Sequence, residues 1–240
     1  MADVGSVPVA RAGSGPAPGY SRSQLADLLV RLIVASWFLL QAANFLRAII
    51  GMLPPAGWLE LDTLSAARIG AKICIFFFFV TMGLLILVRM RPIAKAEGWQ
   101  PRVTALLGTY LLYAMLFLPQ REDLGVGLHL LSAALVAAGN TLALIVISRL
   151  GRSFSINAEA RQLVSGGPYA VVRHPLYLAE QVGLLGAFIE YASWPAAALM
   201  VAQFAFQVQR MRNEEAILLA SFPDYRAYMD RTARLIPGVW

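Results

Sequence analysis

Charge and cysteine are scarce in this chain. Of its 240 residues only 14% are Asp, Glu, Lys or Arg, and it has one cysteine and two histidines. The lone Cys74 excludes an intrachain disulfide framework. Its place inside the apolar run Ile73 to Val80 reads as that of a small packing residue. The net charge of +6 is not gathered into any Lys/Arg-rich block, so nucleic acid is not an expected partner. The first 24 residues hold no apolar stretch fit for the hydrophobic region of a signal peptide. Rich in Gly, Pro, Ala and Ser, they read as a flexible tail. There is no internal repeat, no low-complexity tract, no second globular domain and no expected metal site.

Apolar residues are what the chain does have. They make up 58% of it, with a mean hydropathy of +0.62, above the soluble range. Windows such as Val103 to Leu118 and Leu124 to Ile147 carry no charged residue. A bilayer is the solvent that accounts for them, because a helix needs about 20 predominantly apolar residues to cross its hydrocarbon core. Four segments meet that demand: Leu25 to Ile50, Ile69 to Val88, Arg102 to Leu118 and Leu124 to Leu150. Breaks at Pro54-Pro55, Arg91-Pro92 and Pro119-Gln120-Arg121 separate them.

The next apolar region, Pro175 to Arg210, would measure about 54 Å as one helix, well beyond a hydrocarbon thickness of about 30 Å. It is expected to fold back at Ser193-Trp194-Pro195, since proline suits a helix's first turn and restricts the residue before it. The hairpin would pair Pro175 to Tyr191 with Pro195 to Arg212. The chain then turns polar through Glu214-Glu215, leaves the membrane as helix, turns near Pro223 and forms a second short helix.

Basic residues alternate with this count. The tail, the loop from Arg89 to Arg102, the loop from Arg149 to Arg173 and the C-terminal segment from Arg210 to Arg234 hold most of them. The other face keeps Arg47, Arg68, Lys72 and Arg121. Cytoplasmic loops are enriched in Lys and Arg, so about six spans with both termini cytoplasmic is the expected arrangement. The fold class is therefore an all-α, polytopic membrane helix bundle. It divides into a tail (1–24), four transmembrane spans (25–150) and a C-terminal core with the hairpin (151–240). Polar residues inside the spans are costly and read as interhelical hydrogen bonds: Gln41, Asn44, His129 and Asn140. Arg31, about two turns inside the first span, is placed to snorkel toward the cytoplasm.

Chemistry is concentrated between the fourth span and the hairpin. Gly166-Gly167-Pro168 makes a sharp turn, and Arg173 and His174 stand where Pro175 opens a helix. A helix N-terminus beside a guanidinium favours a carboxylate or phosphate. The bland alternative gives Arg173 to lipid phosphate and Tyr177 to an interfacial aromatic belt. Glu214 and Glu215 are adjacent, so they diverge by about 100° on a helix and only one can face a given pocket.

Taken together, Leu163-Val164-Ser165-Gly166-Gly167-Pro168-Tyr169, Arg173-His174-Pro175-Leu176-Tyr177, Glu214-Glu215 with Leu218, Tyr225 and Tyr228, and the ending Arg234-Leu235-Ile236-Pro237 resemble the isoprenylcysteine carboxyl methyltransferase and phospholipid methyltransferase superfamily. The resemblance covers about Leu150 to Trp240. It implies a membrane-embedded enzyme that binds S-adenosylmethionine at the cytosolic face and methylates a lipidic or small hydrophobic acceptor, with no obligate protein partner. The cofactor pocket it implies comprises Gly167, Pro168, Tyr169, Arg173, His174, Tyr177 and Glu214. Arg173, Glu214 and Glu215 are the implied catalytic groups, and the faces of Tyr169 or Tyr177 would meet the sulfonium. Ala179 departs from the glycine often found two positions after the motif tyrosine. An isoprenylcysteine-type carboxylate acceptor, an ethanolamine-type amine acceptor and a non-catalytic relative retaining the fold are the alternatives. A transporter would show repeated halves or paired ionisable residues at the midplane, and neither is apparent.

Single cysteines in the tail, the Trp99 loop and the C-terminal segment, in a Cys74-free background, are expected to react with an impermeant thiol reagent from the cytoplasmic side. Opposite sidedness of tail and C-terminus would overturn the six-span reading.

Overall fold

The computed structural model describes residues 9–11, 22–55 and 60–238. It is an all-α bundle with one small sheet. Helix α1 (Arg22–Gly51) packs along α2 (Thr63–Val88), which packs on α4 (Val126–Leu150), and α4 packs closely on α5 (Pro175–Tyr191). Helix α3 (Gln100–Tyr110) lies against α6 (Trp194–Ser221), and the short α7 (Tyr225–Arg231) follows α6. Three helical stretches are long and apolar enough to cross a membrane: Leu25–Gly51, Thr63–Val88 and Val126–Ser153.

Local chemistry explains the helix ends. Asp62 caps α2 by accepting from the Leu64 and Ser65 amides at 2.9 and 3.0 Å. Gly151, at φ 50°, ends α4 in a conformation that side chains resist. The break between α5 and α6 falls where Ser193-Trp194-Pro195 places it, with Pro195 in the first turn of α6. The third span differs from expectation. Its α-helix stops at Tyr110 and continues as a 3-10 segment, Leu111–Phe117. Gln203 on α6 donates to the Gly108 carbonyl at 3.1 Å, the acceptor an α-turn would offer to Leu112, and the chain tightens just beyond. At about 1.5 Å per α residue and 2.0 Å per 3-10 residue the combined rod still reaches about 30 Å.

Contacts at the two ends of the bundle alternate along the chain. At one end, strand β1 (Val9–Arg11) pairs antiparallel with β2 (Ala94–Ala96), which pairs with β3 (Glu159–Ala160). At that end, too, the Met90 amide donates to Arg152. At the other, Gln120 donates to the Tyr191 hydroxyl and the Arg121 amide to the Glu190 carbonyl. The sheet was not foreseen: strands of two or three residues between polar loops carry too little periodicity to be read. It also places Val9–Arg11, within the segment read as a flexible tail, on the β2 edge. Residues 1–8 and 12–21 of that segment lie outside the described residues, as do 239 and 240.

The buried core runs between α1, α2 and α4 through Phe38, Phe79, Met82, Ile86 and Val146, and reaches Phe154 below α4. Outward faces stay apolar, with Ile33, Phe77, Leu84 and Val201 exposed, as lipid contact demands. The polar residues of the spans divide in two. His129 lies 3.1 Å from Arg68 and 3.0 Å from Glu190, joining three helices. Asn44 and Asn140 instead bond within their own helices, to Gln41 and the Val136 carbonyl. Arg31 reaches the end of the bundle that carries the sheet, the near end, donating to Asp27 and to the Arg89 carbonyl.

The α4–α5 contact depends on missing side chains. A Cβ on Gly139 would stand 2.6 Å from the Gly183 Cα and 2.8 Å from the Ala179 carbonyl, and one on Gly186 would stand 2.7 Å from the Ser132 carbonyl. Ala179 is buried in this contact, so its methyl belongs to helix packing. Gly183 has room, its nearest neighbour for a Cβ being the Asn140 amide at 3.6 Å. Gly139→Ala is therefore expected to destabilise the detergent-solubilised protein by about 1–3 kcal/mol through overpacking. Gly183→Ala, across the same contact, is expected to be neutral or stabilising by about 0.5–1 kcal/mol. Thermal unfolding of the two variants checks the asymmetry.

Candidate active site

The near end of the bundle holds a cavity of about 110 Å³. Tyr169, Arg173, His174, Tyr177, Arg210 and Glu214 line one side, and residues from Phe154 to Val164 cover the other. Helix α5 supplies Tyr177, α6 supplies Arg210 and Glu214, and the segment between β3 and α5 supplies the rest. Of the residues singled out in sequence, Gly167 and Pro168 are not in the lining. They form the 3-10 turn Gly167–Ala170 that delivers Tyr169, and Gly167 has φ 62°, which favours glycine.

Glu214 and Glu215 part company as adjacent helical residues must. Glu215 is 1% exposed and is the centre of a clamp. Arg173 Nε donates to its Oε1 at 2.8 Å, His174 Nε2 lies 3.2 Å from the same oxygen, and Arg234 donates to Oε2 at 2.6 Å. Burial alone would raise its pKa, but the hydrogen bonds and charges of His174, Arg234 and Arg173 hold it well below the usual carboxylate range. Glu214 faces the cavity. It accepts from the Tyr177 hydroxyl and stands 3.4 Å from Arg210 Nε.

The clamp binds the C-terminal segment over the Arg-His-Pro motif. The Arg173 amide donates to the Ala233 carbonyl at 2.8 Å and the His174 amide to the Arg234 carbonyl at 3.1 Å. Arg173 Nη1 donates to the carbonyls of Met229 and Thr232. These contacts revise the expectation of an anion site at this helix N-terminus: both amides preceding Pro175 and two of the three Arg173 nitrogens are engaged by protein. Tyr177 is similarly occupied, its ring stacked on His174 at 5.5 Å and carrying the Arg210 guanidinium at 5.0 Å. What it presents is its hydroxyl and, through it, the position of Glu214.

Among the lining residues that escaped the list drawn from sequence are Arg210, Tyr225 and Tyr228. Arg210 had a readable signal, being a cation spaced i,i+4 from Glu214 at the end of an apolar span. Tyr225 and Tyr228 were visible in the motif without a role. Burial raises both phenols, Tyr228 to about 12, so their hydroxyls are neutral hydrogen-bonding groups. Tyr228 donates to the Tyr169 carbonyl at 2.7 Å, tying α7 to the turn. A second cavity of about 280 Å³, between the start of α1 and residues 89–102 and 157–159, is roomier but holds none of the motif residues. Among the described residues no group of three or more His, Cys, Asp or Glu is disposed to hold a metal ion.

Residues 128–224 match the family model described as phospholipid methyltransferase. The chain is 32% identical over 110 residues to a nickel-cobalt-cadmium resistance protein of Alcaligenes xylosoxydans xylosoxydans, covering 45% of this chain and 52% of that one. It is 31% identical over 131 residues to a cobalt-zinc-cadmium resistance protein of Cupriavidus metallidurans, covering 54% and 59%. It is 32% identical over 113 residues to the protein-S-isoprenylcysteine O-methyltransferase of Schizosaccharomyces pombe, covering 46% and 45%. The chain thus spans about half the length of the curated relatives it matches. The family match and the methyltransferase relative bear out the resemblance to the integral membrane methyltransferase superfamily.

Glu215→Gln leaves Arg173 and Arg234 buried without their counter-charge and is expected to cost about 3–5 kcal/mol. Because the folded pKa of Glu215 is depressed, its contribution is fully present above the unfolded value of 4.5 and is lost as pH falls through the folded value. The wild-type/variant difference in thermal midpoint is therefore expected to be constant from pH 8 to about 5.5 and to shrink only in stronger acid.

Proposed function

We propose that this chain is an S-adenosylmethionine-dependent methyltransferase of the membrane, binding its cofactor in the cavity at the near end and methylating a lipidic or small hydrophobic acceptor. The observation that carries the reading is the convergence of Tyr169, Tyr177, Arg210 and Glu214 on one cavity, all four inside the segment that matches the phospholipid methyltransferase family and none of them among the ion-paired side chains of the C-terminal clamp.

The donor set suits the cofactor. A zwitterionic, sulfonium-bearing nucleoside needs a carboxylate for its ammonium group, aromatic surface for its cationic sulfur and polar edges for its base and sugar. Glu214, the ring of Tyr169 and the lining side chains of Asn157 and Gln162 supply these in turn. The cavity volume is below the 300–1,000 Å³ typical of ligand clefts, so binding requires the covering residues to yield. Within that cover, residues 158–160 are fixed to β2, whereas Gln162 to Val164 carry no such pairing, and these are the residues to move.

When bound, the cofactor supplies an electrophilic methyl group, and the transfer is an in-line displacement for which alignment matters more than strong acid-base help. Tyr177 and Arg210 orient Glu214, Glu214 anchors the cofactor, and the clamp of Arg173, His174, Arg234 and Glu215 holds α5, α6 and the C-terminal segment in register. Arg173 and Glu215 are thus positioning residues. The sheet, the basic loops and the clamp all lie at one end of the bundle, which in this reading is the cytoplasmic end, with both termini there and the hairpin of α5 and α6 completing six spans.

Glu214→Gln is expected to weaken S-adenosylmethionine binding about ten- to hundredfold, the equivalent of about 1.5–3 kcal/mol for a lost bond to a charged group, in protein that remains monodisperse. Calorimetry measures this. Methyl-labelled cofactor and a membrane lipid extract, followed by mass spectrometry of labelled products, test turnover; wild-type protein that binds no cofactor would overturn the reading.

A further inference from the structure

The cavity of about 280 Å³ has walls from five elements: Asp27 on α1, Arg89 just past α2, Lys95 on β2, Arg102 in the first turn of α3 and Glu159 on β3. Both of its carboxylates are already committed. Asp27 Oδ2 accepts from Arg31 at 2.7 Å and Oδ1 from Arg89 Nη2 at 3.0 Å. Glu159 Oε2 accepts from Arg161 and Ser155, and Oε1 lies 3.6 Å from Lys95 Nζ. Among the lining residues and their ion-pair partners, five cations stand against two carboxylates: Arg31, Arg89, Lys95, Arg102 and Arg161 against Asp27 and Glu159. Repulsion from Arg89 and Arg31 reaches as far as Arg161.

Arg89 shows where the missing charge belongs. Its side chain is 8% exposed and its Nε is buried with no hydrogen-bond partner, so of its nitrogens only Nη2, on Asp27, is bonded among the described residues. A guanidinium placed in this way is costly until its donors are met. A water would accept a hydrogen bond but leave the surplus charge. An anion meets both needs. Arg102 is exposed and has no ion pair among the described residues, and Lys95 stands beyond hydrogen-bond distance of Glu159, so each has donors to spare. Three cations on three separate elements ask for an anion with more than two acceptor oxygens, which a phosphate has and a carboxylate lacks.

We propose that this cavity binds a phosphate group, at a site apart from methyl transfer. None of the motif residues lines it. Its surplus of cations repels an ammonium group, so the ligand is an anion without an amine. Two sources share that chemistry, an anionic lipid headgroup and a soluble phosphate ester, and the surroundings favour the lipid. The apolar stretch of α1 begins at Leu25, which puts Asp27 and Val30 in its first two turns, and Leu29 and Ile33 are exposed on the same helix. Trp99, 76% exposed, stands just before the first turn of α3, and tryptophan settles at headgroup depth. A lipid held here has its phosphate among Arg89, Lys95 and Arg102 and its chains along α1. It joins α1, β2 and α3 and stabilises the folded bundle by binding it.

The test uses the full chain, delipidated in neutral detergent and without cofactor, so the result stands whether or not the chain transfers methyl groups. Phosphatidylglycerol, phosphatidylcholine and glycerol 1-phosphate are titrated separately, with bound ligand counted by native mass spectrometry and the thermal midpoint followed. The expected result is a single phosphatidylglycerol held saturably with a rise in the midpoint, and no such binding of phosphatidylcholine, whose choline cation meets the surplus charge. Lys95→Gln combined with Arg102→Gln, and separately Arg89→Gln, are expected to weaken phosphatidylglycerol about tenfold or more, whereas Arg226→Gln on α7, outside the lining, leaves it within about twofold. Binding of glycerol 1-phosphate in place of the lipid, with the same dependence on these residues, supports the phosphate site and assigns its source to water. Binding of neither probe, or binding that the Lys95/Arg102 double variant leaves unchanged or that Arg226→Gln weakens equally, overturns the proposal. Lys95 and Arg102 are exposed, so that double variant decides the matter even if Arg89→Gln fails to fold.

Discussion

A single buried carboxylate holds the near end of this molecule together. Glu215 takes hydrogen bonds from a residue before α5 and from a residue after α7, while standing on α6 itself. Three charges in so little water would be costly if any one lacked its partner. Their mutual satisfaction fixes where α5 begins, where the C-terminal segment lies and which way α6 is rotated. That rotation sends the adjacent Glu214 about 100° away, into the cavity. The clamp is structural, and the chemistry of the site depends on it through geometry.

The second constraint is the absence of side chains along α4 and α5. Apolar solvent gives helices no hydrophobic reason to associate, so close backbone approach has to provide the attraction. Gly139 and Gly186 permit it, and Ser132 adds a hydrogen bond to the Gly186 carbonyl at 2.9 Å. With α5 anchored on α4, its opposite face, carrying Tyr177, Glu180 and Gln181, is presented to α6. The same helix therefore joins a rigid packed seam to a polar one, and the cavity opens where the polar seam meets the near end.

On the proposed function, this arrangement bears on how a water-soluble methyl donor and a membrane-soluble acceptor would meet. The cavity is reached from the end of the bundle that carries the loops, and the polar ladder of Gln181, Gln203, Gln207 and Glu180 between α5 and α6 leads from it toward the hydrocarbon interior. Glu214 and Glu180 are both within electrostatic reach of Arg210.

Composition and spacing alone determined that the chain is a helical membrane bundle and that Pro175 to Arg210 folds back at Ser193-Trp194-Pro195, and they singled out the stretch from Gly166 to Tyr228, much of which lines the cavity. These are one-dimensional properties: apolar run length against bilayer thickness, a proline in a helix's first turn, and ordered motifs. The division of labour inside the motif was a tertiary matter. Adjacent Glu214 and Glu215 look alike in sequence, and only the packing of α6 against α5 and the C-terminal segment makes one a clamp and the other a cavity wall. Arg173 reads as an anion-binding residue until Glu215 and the carbonyls of Met229 and Thr232 are seen to take its hydrogen bonds. The sheet and the glutamine ladder were hidden for the same reason: each joins residues distant in sequence, and such a contact leaves no periodic trace in any one segment.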